Sequence, residues 1–224
     1  MHYVGKFNFD TDTTLCQLGY IADTANARDM HPAMAAAIIN RLAGFAPRPM
    51  VIDMETRAGV VAVEALRQGL HTVALSSRAY NAGLARRNIA ALKAGNLVVY
   101  GESAVHHLPP HIAAGVLKNL CPSLIVSTVD TSECIDLKNN GYKITQYLYG
   151  ILASAAAMSC HTTNLALVVR GVSGGRSEIQ QVLSARIREI ISAVASVGFT
   201  YCGHYDADGT ERVRVMWGKM QKEL

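Results

Sequence analysis

The sequence is poor in several features that mark particular classes of protein. Charged residues make up only 17% of it and the net charge is +4, which is milder than the dense basic stripe of a dedicated nucleic-acid binder. No apolar run approaches the length that spans a bilayer. Gly-x-Gly-x-x-Gly and Walker elements are both missing, which argues against dinucleotide dehydrogenases and P-loop enzymes.

Cysteine is also used sparingly. The chain has five cysteines, an odd number, and none of them forms a CxxC pair. The Cys160-His161 and Cys202-Gly203-His204 segments therefore lack the paired spacing of a zinc site, and we predict no metal. The chain opens on Met1-His2-Tyr3 without a leader-type segment. We expect a reduced, cytoplasmic protein.

Half of the 224 residues are hydrophobic, which is enough for one α/β domain with a sizeable core. Short β-branched runs alternate with longer helical patterns, as in a parallel sheet covered by helices on both faces. The predicted strands are Met50–Asp53, Thr72–Ser76, Leu97–Tyr100, Leu124–Val129 and Asn164–Val169, and the predicted helices are His31–Ala43, Gly59–Gln68, Ala79–Lys93, Pro110–Leu120, Lys143–Met158 and Ser177–Val197.

The end of the chain predicts a β-hairpin. Phe199–Tyr205 and Glu211–Trp217 flank Asp206-Ala207-Asp208-Gly209, a hairpin turn signal. The last strand would then run antiparallel to the others. Residues 1–30 are predicted to form an N-terminal extension with a small strand at Tyr3–Phe9, and residues 31–224 the main domain.

The most informative segment is Met50–Gly59. It reads as a buried strand, a tight turn and a helix start, with Asp53 at the end of the strand and Gly59 at the start of the helix. Nucleotide-type sites of α/β proteins are built in this way, because ligands bind beyond the carboxyl ends of the strands. Yet Arg57 stands at the turn, where a cofactor would need bare backbone.

Several segments together resemble one family. His31-Pro32-Ala33-Met34 with its alanine-rich helix, Val51-Ile52-Asp53 through Gly59, Val63-Glu64-Ala65 and Arg86-Arg87-Asn88 resemble the S-adenosylmethionine-dependent RNA methylases, which include tRNA guanine-N2 methyltransferases. Five β/α units followed by a hairpin are also the plan of the seven-stranded, Rossmann-like methyltransferase domain. The resemblance implies S-adenosylmethionine as cofactor and RNA as substrate.

The resemblance also assigns the cofactor contacts. Arg57 stands where the family has its first glycine, Ser76 takes the place of the acid that bonds the ribose, and Glu102 matches the acid near the adenine amine. Arg57 would fill the methionine pocket, hold a phosphate at the helix N-terminus or lie on the surface. The implied cofactor residues are Asp53, Glu55, Arg57, Gly59, Ser76 and Glu102.

The catalytic element departs further. Amine-methylating members carry Asp-Pro-Pro-Tyr after the fourth strand, where the acid and a carbonyl hold the amine and the aromatic ring stacks on the base. Here Thr128 takes the place of the acid, both prolines are missing, and Asp130 is displaced by two residues. Asp130 and Thr128 are therefore the candidate catalytic residues, provided that the loop is rebuilt.

Three hypotheses follow. The chain is an active methyltransferase with a divergent site that acts on RNA or a small molecule, a non-catalytic relative that keeps the fold as a binding or scaffold module, or a nucleotide-dependent oxidoreductase, which the missing glycine motif and the terminal hairpin disfavour. The partner of a non-catalytic module would be RNA or another protein subunit. The coordinated departures predict a methyltransferase-fold protein with impaired or reworked cofactor chemistry, in which S-adenosylmethionine binding is either retained or lost. A homo-oligomer is compatible with the apolar helix Lys143–Met158, and no membrane is involved.

Overall fold

A computed structural model describes residues 3–8, 15, 18–22, 29–44, 49–95, 101–118, 120–130, 141–170, 190–208 and 213–221. Within these ranges, the side chains of residues 3–8, 129–130, 141–147, 170, 205–208 and 213–214 are outside the description. The elements are β1 (Tyr3–Asn8), α1 (Pro32–Leu42), β2 (Met50–Met54), α2 (Val60–Arg67), β3 (His71–Leu75), α3 (Ala79–Ala94), β4 (Ser103–His106), α4 (Pro110–Val116), β5 (Leu124–Asp130), α5 (Gly141–Met158), β6 (Asn164–Arg170), β7 (Phe199–Asp208) and β8 (Val213–Met220).

The strands form one sheet in the order β1-β7-β8-β6-β5-β2-β3-β4. All neighbouring pairs are parallel except those of β8, which runs antiparallel to both β6 and β7. The predicted fold is therefore confirmed: a mostly parallel seven-stranded sheet with an antiparallel strand from the C-terminal hairpin. The extension strand β1 is added to it as an eighth, beside β7.

Side chains that alternate along the strands build a hydrophobic core on each face of the sheet. On one face Val51 of β2 packs with apolar residues of α1, α2 and α3. On the other face Ile52 and Met54 pack with residues of α4, α5 and the helical residues 190–196. Strands buried on both faces are expected to read as continuous apolar runs, and the run Met50–Met54 is broken only by Asp53.

The first helix begins as its sequence predicts. His31 has extended backbone, its Nδ1 accepts a hydrogen bond of 3.2 Å from the backbone N–H of Ala33, and Pro32 occupies the first turn. Proline is favoured there because the first amide groups of a helix have no partner within the helix. This cap fixes the residue at which α1 begins.

Two sequence predictions differ from what the structure describes. The strand that pairs with β3 is Ser103–His106, whereas the predicted strand Leu97–Tyr100 lies entirely outside the described residues. Asp206, Ala207 and Asp208, predicted as a turn, are the last residues of β7 and pair with β8. The longer β-branched and aromatic strand overrides the turn signal of two aspartates.

One further prediction is tested only in part, and another is not tested. Of the predicted helix Ser177–Val197, only residues 190–196 lie within the described ranges as helix, so its start at Ser177 lies outside them. The division at residue 30 stays a prediction. Residues on both sides of it share one core, since Tyr20 and Met30 pack in the same cluster as α1 and α2.

Candidate functional site

The carboxyl ends of β2, β3, β4 and β5 lie at one edge of the sheet, where α/β proteins bind ligands. Met54, the last residue of β2, is opposite Ser127 of β5. Strands β5 and β6 continue for Thr128, Val129 and Asp130 beyond that point. The result is a step at this edge, with the end of β2 lower than the ends of β5 and β6.

The turn after β2 is held by backbone hydrogen bonds to three neighbouring elements. The N–H of Thr56 donates to the carbonyl of Leu75 at the end of β3, at 2.7 Å. The N–H of Ala58 donates to Oδ2 of Asp29, at 2.6 Å, and the Ala58 carbonyl accepts from the amide of Asn88, at 2.8 Å. Such a turn is fixed in position before any ligand arrives, which is what a preorganised binding loop requires.

Gly59 ends this turn in a conformation that favours glycine. Its φ is +80°, and a Cβ built on it would lie 2.8 Å from Cβ and 2.9 Å from Cα of Ala85 in α3. Both facts exclude a side chain, because the left-handed conformation strains L residues and the contact with α3 is closer than a real Cβ allows. The glycine predicted from sequence therefore permits the close approach of α2 to α3.

Glu55 reaches across the turn to the end of the next strand. Its Oε2 accepts a hydrogen bond of 2.9 Å from the hydroxyl of Ser77, and a longer contact of 3.5 Å from the Ser77 N–H. The backbone of Glu55 is in the left-handed region at φ +59°, which is uncommon for a residue with a side chain. A strained backbone at such a position is a feature of functional sites.

Asp53 lies beneath the turn with 6% of its surface exposed. Burial raises the pKa of its carboxyl to about 8; the nearby Thr56 side chain acts to lower it, and the negative charges of Asp29 and Glu55 raise it further. Asp53 is therefore protonated at neutral pH, and its carboxyl can donate as well as accept a hydrogen bond. Perturbed acids of this kind concentrate at functional sites.

Arg57 and Ser76 are at the expected edge, with different surroundings. Arg57 is half-buried on the turn between Thr56 and Ala58. The hydroxyl of Ser76 is fully buried and accepts from the N–H of Arg78, at 3.2 Å. The next residue, Ser77, is exposed, so Ser77 rather than Ser76 faces solvent after the end of β3.

The prediction for Glu102 is wrong in position. Its carbonyl accepts from the N–H of Thr72, and its own N–H donates to Nδ1 of His71 at 3.3 Å, both at the start of β3. Glu102 precedes β4 and so lies at the amino edge of the sheet, opposite the candidate site. The reason is the shifted strand: with β4 at Ser103–His106, the residue at its carboxyl end is His107, whose Nε2 lies 3.2 Å from the Ser77 carbonyl.

Thr128 and Asp130 lie within β5, and no rebuilt loop begins before Asp130. Thr128 is half-buried and opposite Val168 of β6. Asp130 is the last residue of the strand, opposite Arg170, and its side chain lies outside the described part. Both are at the correct edge, and their catalytic roles stay predictions.

Other residues that carry the resemblance hold the fold together. The Arg86 guanidinium donates to the Val105 carbonyl at 3.0 Å. Glu64 accepts hydrogen bonds from the hydroxyl of Tyr20 at 2.5 Å and from the Arg67 guanidinium at 2.6 Å. Burial, followed by the bond to Glu64, raises the pKa of Tyr20 well above its usual range.

Two of these residues, Tyr20 and Arg67, also line a cavity of about 210 Å³ beside α2 and α3. Asn88 lines it too, from α3. The cavity lies under the N-terminal segment, away from the carboxyl ends of the strands. It is therefore separate from the candidate site.

Sequence reasoning missed Asp29, which was assigned to the extension. It holds the turn through Ala58, and its other oxygen, Oδ1, accepts from the N–H of Met30 at 2.8 Å. The only sequence signal was an acid just ahead of the helix start at His31-Pro32. Nothing in the sequence linked it to a turn almost thirty residues away.

Known protein structures share this architecture. The chain is similar to a geranyl diphosphate methyltransferase in complex with SAM, with a TM-score of 0.58, 14% identity and coverage of 98% of this chain and 99% of that one. It is also similar to the magnesium protoporphyrin IX methyltransferase of Synechocystis PCC 6803 with bound SAH, with a TM-score of 0.56, 12% identity and coverage of 90% and 89%.

A third neighbour is the 16S rRNA (adenine(1408)-N(1))-methyltransferase of Catenulisporales acidiphilia with SAM, with a TM-score of 0.54, 13% identity and coverage of 88% and 94%. The chain thus has the fold of the SAM-dependent methyltransferases. No family model and no curated sequence matches it. At this identity the likeness defines the fold, and these neighbours do not single out tRNA guanine-N2 methylases.

Among the residues that the structure describes, no helix combines the length and the apolar character needed to cross a membrane. Across the same residues, no three histidine, cysteine, aspartate or glutamate side chains come together as metal ligands would.

Proposed function

We propose that this protein binds S-adenosylmethionine at the carboxyl edge of β2 and β3, through contacts rebuilt around Glu55. The observation that carries the proposal is the position of the Glu55 carboxylate. It lies against Ser77, at the end of β3, where the resemblance places an acid for the ribose hydroxyls. An acid from the turn after β2 thus supplies the charge that the strand end has lost.

The residues of the turn fit such a ligand in charge. S-adenosylmethionine carries a sulfonium and an ammonium group, and Glu55, Asp53 and Asp29 concentrate acidic groups at the turn. A nearby cation favours the ionised form of a carboxyl, so binding would lower the pKa of Asp53 from about 8. Binding is therefore expected to strengthen as the pH rises towards that value.

The cofactor would supply an electrophilic methyl group, and the chain's own residues would orient the acceptor. Thr128 and Asp130 extend past the end of β2 on the neighbouring strand, beside the turn that would hold the cofactor. A threonine hydroxyl can accept a hydrogen bond from an amine but is not a base at neutral pH. We therefore propose that amine methylation of the usual kind is impaired, and that any proton acceptor is Asp130.

RNA is the substrate class that we propose, and its support is the sequence resemblance over Met30–Gly101. The alternative is a non-catalytic subunit that keeps the fold and binds RNA or a protein partner. Arg57 favours this alternative, because a half-buried arginine stands on the turn where the family has glycine. The two functions share the fold and differ in whether the turn admits the cofactor.

Calorimetric titration of the full chain with S-adenosylmethionine and S-adenosylhomocysteine tests the proposal. We expect a dissociation constant of about 1–100 μM, an affinity of about 5–8 kcal/mol. No heat at millimolar ligand would contradict it. If no binding is seen, Arg57→Gly distinguishes a binding site that Arg57 blocks from a binding site that has been lost. Recovered binding would show that Arg57 blocks the turn, whereas continued absence of binding would favour the scaffold function.

A further inference from the structure

Two cysteines meet at the edge of the sheet opposite the candidate site. Cys121 precedes β5, and Cys160 lies between α5 and β6. Strands β5 and β6 are parallel neighbours with Leu124 opposite Asn164, so the segments that lead into them lie side by side. Cys121 and Cys160 are far apart in the sequence and adjacent in the fold.

The two segments are joined by a backbone hydrogen bond. The N–H of Cys121 donates to the carbonyl of Met158, at 3.1 Å, which ties the Cys121 segment to the end of α5. Cys160 follows Met158 by two residues, and its thiol is close enough to Cys121 for that side chain to lower its pKa. Cys121 is exposed and Cys160 is half-buried, so reagents in solution reach the pair.

The surroundings of Cys160 favour its thiolate. Its sulfur lies 3.2 Å from the hydroxyl of Thr162 and 3.8 Å from that of Thr163. Burial acts to raise the pKa of the thiol, but hydrogen bonds with Cys121, Thr162 and Thr163 outweigh it and lower the pKa to about 7.

The backbone at Cys121 is also unusual. Its φ is +54°, in the left-handed region that side chains rarely adopt. Cys121 thus combines a strained backbone with a position beside a second cysteine whose thiol has a lowered pKa. This combination is more typical of a redox-active cysteine than of an ordinary surface cysteine. By comparison, the sulfur of Cys202 donates to the Thr200 carbonyl at 3.3 Å on its own strand, which gives it no role in such a pair.

We propose that Cys121 and Cys160 form a reversible disulfide, a thiol modification site on the edge of the sheet remote from the proposed cofactor cleft. A peroxide is the oxidant. The Cys160 thiolate attacks one peroxide oxygen, the O–O bond breaks, and Cys160 sulfenic acid and hydroxide are formed. The Cys121 thiol then attacks the sulfenic sulfur, the S–S bond forms, and hydroxide leaves with the Cys121 proton as water. A dithiol reverses the reaction.

The test uses the full chain, reduced and then treated with hydrogen peroxide. Free thiols are alkylated with iodoacetamide and the tryptic peptides are analysed by mass spectrometry. Because Cys121 and Cys134 fall on one tryptic peptide, the experiment is run in parallel on Cys134→Ser. We expect a crosslinked pair of peptides containing Cys121 and Cys160 in both proteins, lost after dithiothreitol and lost in Cys121→Ser and Cys160→Ser. Cys202→Ser is the matched control and keeps the crosslink.

Two results would overturn the proposal. One is a crosslink that joins other cysteines, and the other is oxidation of Cys160 to sulfinic acid in the wild-type protein without a crosslink. Cys121→Ala adds a readout that does not depend on oxidation: without its hydrogen bond, the pH midpoint for alkylation of Cys160 should rise. An unchanged midpoint in a variant with wild-type circular dichroism would contradict the contact itself.

Oxidation should also change stability measurably. The disulfide would close a loop of about forty residues in the unfolded chain, which in the entropy description raises the melting temperature by about 5–10 °C. Since the site lies at the opposite edge from Glu55, oxidation should leave S-adenosylmethionine affinity unchanged. Failure to form the crosslink would therefore leave the proposed S-adenosylmethionine binding untouched, and failure to bind S-adenosylmethionine would leave the proposed disulfide untouched.

Discussion

The Glu55 carboxylate and the Ser77 hydroxyl are joined by a hydrogen bond of 2.9 Å between the ends of β2 and β3. Glu55 makes this bond from a left-handed backbone conformation, φ +59°, which costs an L residue about 1–2 kcal/mol. Glycine would remove the strain but also the carboxylate. The strained backbone of Glu55 thus places a negative charge at the carboxyl edge of the sheet, where the candidate site lies.

Glu55→Gln should weaken the binding of S-adenosylhomocysteine by about 10–100-fold, because hydrogen bonds to a charged acceptor contribute about 1.5–3 kcal/mol. Ser77→Ala should have a smaller effect, since the carboxylate stays. Calorimetric titration measures both. Glu102→Gln is the matched control: Glu102 lies at the opposite edge, beside His71, and its variant should bind as the wild type does. Equal affinity of Glu55→Gln and Glu102→Gln would contradict the proposed site.

Gly59→Ala should lower the free energy of unfolding by about 2–4 kcal/mol, because it combines a left-handed backbone with a clash. The new Cβ would lie 2.8 Å from that of Ala85. Gly69→Ala is the control, since Gly69 has a similar φ of +75° but open space around a Cβ, and it should cost about 1 kcal/mol. Urea denaturation measures the difference, and equal losses would show that α3 yields to the added methyl group.

Asp53 should make stability depend on pH in a particular direction. Its pKa is raised from 3.8 to about 8 in the folded protein, so between those values the folded state holds a proton that the unfolded state has released. The free energy of unfolding then falls as the pH rises through this window and levels off above it. Asp53→Asn removes this dependence.

Denaturation at pH 5 and pH 8 measures the effect. The wild type should lose at least about 1 kcal/mol more than Asp53→Asn between the two values. The isosteric amide mimics the protonated acid, so both proteins should be alike at the acidic end. Parallel losses would mean that Asp53 is ionised throughout.

Asn88→Ala should destabilise the protein by about 2–4 kcal/mol, because buried backbone groups lose their partners. The Asn88 amide group donates to the carbonyls of Ile21 and Ala58 and accepts from the Ile21 N–H, at 2.7–2.8 Å. Arg87→Ala, at an exposed neighbouring position, should change stability by less than about 0.5 kcal/mol. Hydrogen exchange should show faster exchange at Ile21 in Asn88→Ala alone. Unchanged exchange there would contradict this link.

The fold was predictable because each element has a local cause. Strand β2 is an apolar run, α1 has a histidine and a proline at its start, and Gly59 ends the turn. Ser103–His106 pairs with β3, although the local pattern there did not predict a strand. The pairing depends on the neighbouring strand, and no local property of the sequence encodes it.

The site was predictable in position and less so in its contacts. Asp53 and Gly59 follow from the strand–turn–helix plan, whereas the role of Asp29 depends on a hydrogen bond to Ala58 across the fold. The reach of Glu55 to Ser77 depends on a backbone angle that sequence does not report. Long-range contacts and strained angles are properties of the assembled chain, and so they escape pattern reading.

The parallel pairing of β1 with β7 sets an order of events. Tyr3 is opposite Gly203 and Asn8 is opposite Asp208, so almost the whole chain separates the partners. During synthesis β1 is made long before β7 and cannot take its place in the sheet until β7 emerges. Pulsed hydrogen exchange during refolding should show β1 amides protected last, since such distant pairing is slow. The edge strand β1 thus joins the sheet only after the strands between it and β7 in the sequence have been made.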